Sequence, residues 1–146
     1  MTDPSLLTLE QRIKAQALAL GFTSCAITRA DAIPLAAERL QAWLAQGHHG
    51  EMGWMEARAE QRGSPQGLWP EVQSVIMLGM SYAPANDPLA LAAYPEIGRI
   101  SVYAQGQDYH DVVKRALKAL GRWLAEQEGE QLKVFVDTAP VMEKPL

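Results

Sequence analysis

Ser74-Val75-Ile76-Met77-Leu78-Gly79-Met80 is an unbroken apolar run of strand length. It lacks the in–out alternation of a half-wet strand, which predicts a central strand covered by helices on both faces. Upstream, Gly63, Pro65, Gly67 and Pro70 mark the preceding segment as a loop. Before that loop, Glu51 to Glu60 reads as a short helix with Met52, Met55 and Ala59 inward. A longer helix opens near Pro34, where Ala36, Leu40, Trp43 and Leu44 share a face and Gly47 ends the run. Gly21 to Thr28, rich in small and β-branched residues, reads as a strand with Cys25 packed in the core. Thr8 and Gln11 form a capping-box pattern ahead of a first helix carrying Ile13, Ala17 and Leu20. Downstream, Pro84, Pro88 and Pro95 lie in a long connection from Ala83 to Arg99. A long helix then spans Asp108 to Gln127, with Val113, Ala116, Leu117, Leu120 and Leu124 on its buried side. A last strand, Leu132 to Val136, delivers Asp137 to its carboxyl end. The order predicts an α/β domain, a small mixed sheet flanked by helices. Met142-Glu143-Lys144-Pro145-Leu146 offers no polar cap, so the architecture is expected to be incomplete at the C-terminus.

Composition narrows the function. The 146 residues are 48% hydrophobic and 21% charged, enough for one core and inconsistent with general disorder. No apolar run reaches the roughly 20 residues of a membrane helix, and Met1-Thr2-Asp3-Pro4 lacks the start of a secretory signal. The expectation is a soluble, cytoplasmic monomer. The net charge of −4 does not suggest a strongly basic nucleic-acid binder, although a local basic face is compatible with it. A single cysteine rules out an internal disulfide, a cysteine zinc site or an iron–sulfur cluster held by this chain.

Four places carry candidate chemistry. Asp137 ends an apolar strand and is followed by Thr138-Ala139-Pro140, which suits either a cap for the next segment or an acid in a crevice at a strand's carboxyl end. The segment from Ile100 to His110 gathers Tyr103, Asp108, Tyr109 and His110 around Gly106 at a helix start. It reads either as a cap with core tyrosines or as a ligand-contacting loop. His48 and His49 point apart as neighbours do, so a helix-terminus contact is favoured over a metal site. Lys114, Lys118 and Arg122, with Arg115 beside them, make a basic stripe that is either simply solvated or able to meet a phosphate backbone. There is no nucleophilic triad pattern and no glycine-rich phosphate or dinucleotide fingerprint.

Five stretches in register resemble the N-terminal half of the epoxyqueuosine reductase family. They are Trp43 to Met52, Gln61-Arg62-Gly63-Ser64-Pro65, Ser74-Val75-Ile76, Tyr103 to His110, and Val136-Asp137-Thr138-Ala139-Pro140-Val141-Met142-Glu143-Lys144. The resemblance runs from about Leu9 onward. It implies a nitroreductase-like N-terminal domain, with residues 1–146 as its cobalamin-side catalytic fragment. It also implies an oxidoreductase that removes the epoxide oxygen of epoxyqueuosine at the wobble position of tRNA, recognised through the anticodon stem-loop, in queuosine biosynthesis.

In that family, electrons pass from two four-iron, four-sulfur (4Fe-4S) clusters to a base-off cobalamin. Asp137 matches the family's proton donor, whose pKa burial beside the corrin should raise. Arg62 matches an arginine near the cobalamin. Ser101 and Tyr103 fall where the family contacts the cofactor. Val102 and Gln107 stand where relatives commonly carry arginine. The cluster-binding cysteines and the ferredoxin-like part are absent from this sequence, so the chain alone is expected to be inactive. Two other readings are a non-catalytic corrin- or tRNA-binding module and a related nitroreductase-like or dehalogenase-like cofactor domain.

Overall fold

The structure is a computed structural model and describes residues 7–129, 131–141 and 146. The α/β class holds, and the described residues divide into two compact units. Met1-Thr2-Asp3-Pro4 and Met142-Glu143-Lys144-Pro145 lie outside the described residues.

One unit comprises the chain to Ser24 together with residues 79–137. Its helix α1, Leu9–Ala19, starts as predicted: the Thr8 hydroxyl accepts from the Gln11 backbone N–H, and the Gln11 side chain accepts from the Thr8 N–H. Ile13 and Ala17 are buried one turn apart, on the face toward helix α5, Tyr109–Glu128. The α5 helix buries Leu120 and Leu124 and leaves Lys114, Lys118 and Arg122 exposed. It stops at Gly129, whose φ of 70° is a left-handed terminator that a side chain would strain. Outside this apolar contact, Arg12 of α1 donates to Glu128 at 2.8 Å and to Gln127 at 3.1 Å. The long connection is mostly irregular, with single 3₁₀ turns at Ala90–Ala93 and Val102–Ala104.

The last expected strand is not one. Residues 131–137 carry no strand pairing. Extended backbone becomes a strand only when a neighbour takes its hydrogen bonds, and among the described residues none does. The apolar alternation is used differently. A Cβ added at Gly121 of α5 would lie 3.7 Å from Val134 and 4.0 Å from Leu132, so the segment runs along the helix and fills the space over that glycine.

The other unit comprises residues 25–78 and the chain from Thr138. It holds most of strands β1, Ser24–Arg29, and β2, Ser74–Gly79, which form a two-stranded sheet. The pairs Thr23 N–H to Gly79 carbonyl and Ala30 N–H to Gln73 carbonyl make it antiparallel, so the small sheet is not a mixed one. The strand expected to be central has no fully buried residue, and Cys25 is half-buried rather than in the core. A two-stranded ribbon has no inner position and cannot enclose either strand.

Helix α2, Ala36–Ala45, buries Ala36, Leu40 and Leu44, with Trp43 half-buried at the edge of that face. The helix expected over residues 51–60 breaks up, and Met52 is exposed. Turns lead to a 3₁₀ turn at Glu56–Arg58 and then to α3, Ala59–Gly63. The segment read as a loop contains α4, Pro65–Leu68, because the Ser64 hydroxyl accepts from the Gly67 N–H and Pro65 sits in the first turn, where its missing donor costs nothing. The α3 and α4 helices approach so closely that a Cβ at Gly67 would fall 2.3 Å from the Glu60 carbonyl oxygen.

Candidate active site

The α5 helix begins at a polar cluster. The Asp108 carboxylate caps it, accepting from the His110 backbone N–H at 2.9 Å, and the same oxygen lies 2.8 Å from His110 Nδ1. The cap N–H and the adjoining imidazole hold the Asp108 carboxyl below the usual carboxylate range. An ionised carboxylate only accepts, so Nδ1 carries the hydrogen and Nε2 is the free end of the ring.

Tyr109 stacks on that ring with centroids 4.1 Å apart, and Tyr103 meets Tyr109 edge-on. The Tyr109 hydroxyl donates to Asp137 Oδ2 at 2.5 Å. This bond, reinforced by partial desolvation and nearby negative charge, pushes the phenol up to about 12. Tyr109 is therefore a hydrogen-bond donor across the neutral range and not a source of protons. His110 Nε2 lies 4.0 Å from the same Asp137 oxygen.

Asp137 itself has φ of 51°, the one non-glycine residue in the left-handed region among those described. Asp tolerates that region better than most residues. It caps no described helix, so the capping role is not observed. Its side chain is 53% exposed, and the burial expected of it is not seen among the described residues. Two open depressions of about 360 and 460 Å³ occur in the other unit, and Asp137 lines neither. What distinguishes Asp137 is convergence: a strained backbone aims one carboxylate oxygen at a phenol and an imidazole held by a second carboxylate.

Of the other expected site residues, Ser101 and Tyr103 are exposed in the same unit, on either side of the start of a 3₁₀ turn. Arg62 belongs to the other unit. Its guanidinium lies 4.7 Å from the centre of the Trp54 ring, and its buried Nε has no hydrogen-bond partner. His49 is the more enclosed of the paired histidines. Its Nε2 lies 3.1 Å from Glu56, and Trp43 tilts against both imidazoles. No metal-holding group of acids, histidines and cysteine exists among the described residues.

The family profile described as "Epoxyqueuosine reductase QueG, DUF1730" matches residues 62–138, just over half of the chain and the whole span from Arg62 to Asp137. The chain belongs to the epoxyqueuosine reductase QueG family. Proteins named epoxyqueuosine reductase resemble it throughout. That of Escherichia coli (strain K12) is 39% identical over 149 residues, covering 100% of this chain and 39% of the relative. That of Gloeobacter violaceus is 46% identical over 135 residues, covering 91% of this chain and 40% of the relative. That of Vibrio cholerae is 38% identical over 140 residues, covering 94% and 38%. The chain thus spans about two-fifths of the length of these epoxyqueuosine reductases. No solved structure matches it significantly.

Proposed function

We propose that the chain forms the cobalamin-side part of a reductase that removes the epoxide oxygen of epoxyqueuosine in tRNA, with Asp137 as the proton donor. Family membership supports the reaction class. The observation carrying the residue assignment is the convergence of Tyr109 and His110 on Asp137. Removing an epoxide oxygen as water, with an alkene left behind, takes two electrons and two protons. The electrons come from a reductant outside this chain, whose single cysteine cannot hold a four-cysteine cluster. Cobalamin, when bound, would supply a low-potential metal centre for the reduction.

Each unit carries groups suited to a corrin. Arg62 has a buried Nε without a partner, suited to amide or phosphate acceptors. Ser101 and Tyr103 offer exposed hydroxyls, with Ile100 presenting apolar surface beside them. Ser101 and Tyr103 would contact the cofactor from their own unit. Asp137 would protonate the departing oxygen, because an alkoxide leaves poorly without a proton and a positioned acid contributes about 10²–10⁴-fold. The Tyr109 hydroxyl would fix the carboxyl and stabilise the carboxylate formed once its proton has gone. The same reading implies a nitroreductase-like N-terminal domain. A tRNA substrate implies a cytoplasmic reaction; among the described residues no helix is long and apolar enough to cross a membrane.

A corrin titration tests the assignment. A full-length reductase carrying this sequence should bind cobalamin base-off and convert epoxyqueuosine in tRNA, and the 146-residue chain alone should do neither. Binding of flavin with indifference to cobalamin would overturn it.

A further inference from the structure

We propose that His110, oriented by Asp108, is a relay that reloads Asp137 with a proton during each reduction. The inference rests on the reading of Asp137 as the acid. Its starting point is stoichiometry. Oxygen leaves as water with two protons, and one carboxylic acid carries one. The second comes either straight from solvent or through a group in touch with Asp137, and the test below separates the two.

Two side chains approach Asp137 Oδ2, and their chemistry separates them. Tyr109, at 2.5 Å, holds its proton too tightly to give it up near neutral pH. His110, at 4.0 Å, is an imidazole, the side-chain type that gains and loses a proton there. Its geometry suits passage rather than storage. Nδ1 is committed to Asp108 at 2.8 Å, the ring plane is fixed by stacking on Tyr109, and the side chain is 39% exposed to solvent protons. A 4.0 Å gap is too long for a hydrogen bond in the resting chain, and catalytic hydrogen bonds commonly tighten when the complex forms.

The step balances. The Nε2–H bond of the imidazolium breaks as an O–H bond forms on the Asp137 carboxylate. The ring is left neutral with its hydrogen on Nδ1, and solvent returns a proton to Nε2. The titratable groups around His110 are Asp108 ahead of it, Tyr109, Asp111 and Lys114 on its own helix, Asp137 from the segment following α5, and Tyr103 behind Tyr109. His110 acts through Asp137 and is a positioning and relay residue, distinct from the acid itself.

The test compares His110→Ala, Asp108→Asn and Asp137→Asn in the cobalamin-loaded full-length reductase. His110→Ala should lower kcat about 10²-fold at unchanged KM for tRNA and recover when imidazole is added. Asp137→Asn should be inactive and unresponsive to imidazole. In the 146-residue chain, nitrogen NMR should find neutral His110 with its hydrogen on Nδ1, and Asp108→Asn should mix the two tautomers. An inactive Asp137→Asn beside a fully active His110→Ala, or a His110→Ala enzyme that imidazole does not restore, overturns the relay and leaves the acid standing. A fully active Asp137→Asn overturns the acid itself.

Discussion

His110 and His49 each sit beside an aromatic ring and a carboxylate, yet their surroundings differ. His49 is only 11% exposed, contacts Glu56 through Nε2 and Trp43 through its ring, and its buried Nδ1 has no hydrogen-bond partner. One side of that imidazole is closed. His110 is open to solvent and has a carboxylate facing each nitrogen, at 2.8 and 4.0 Å. A proton passing through an imidazole enters at one place and leaves at another, so it needs two connected ends and a path to water. Only His110 has both, and His49 is a packing residue that happens to be titratable. Sequence alone places His110 in a loop that caps a helix or contacts a ligand, and His49 at a helix terminus, without showing which imidazole has two connected ends.

Stability measurements sharpen the contrast. The largest effect should come from the core end of the helix that starts at the site: Leu120→Ala or Leu124→Ala removes a buried side chain of α5 and should cost about 2–5 kcal/mol in chemical denaturation. Smaller losses would mean that α5 is held by something other than its buried leucines. Next in size, His49→Ala should destabilise by about 1–3 kcal/mol, whereas His110→Gln should stay within about 0.5 kcal/mol. Equal costs would erase the distinction between a packing and a relay histidine.

Much of this was legible from local sequence. The α1 capping box, the Asp108 cap and the apolar face of α5 follow from spacings of three and four residues. The misreadings came from partners that local sequence does not contain. Leu132 to Val136 has strand composition, but whether it becomes a strand depends on a neighbour to pair with, and α5 takes its apolar side instead. The helix expected near Met52 and Met55 gives way to successive turns, with the Met52 N–H on the His49 carbonyl and the Met55 N–H on the Met52 carbonyl. At the site, Asp137, Tyr109 and His110 were each singled out, but nothing between positions 109 and 137 signals that the phenol meets the carboxylate. Nothing in the spacing of Trp54 and Arg62 signals that the guanidinium lies over the indole.

The smallest effect concerns that phenol. Tyrosine absorbance should show Tyr109 ionising near about 12, and Asp137→Asn should bring it back toward the ordinary value of about 10. Because the folded state raises this pKa, the associated stability is fully present below the unfolded value and is lost as pH climbs through the folded one. An unshifted tyrosine in the parent chain would separate Tyr109 from Asp137 and leave His110 as the only group approaching the acid.

The most direct measurement is single-turnover conversion of epoxyqueuosine in tRNA by the cobalamin-loaded full-length reductase carrying Asp137→Asn. The expected result is an unchanged corrin absorption spectrum with chemistry slowed about 10²–10⁴-fold. A wild-type rate with that spectrum intact would contradict the assignment of Asp137 as the acid.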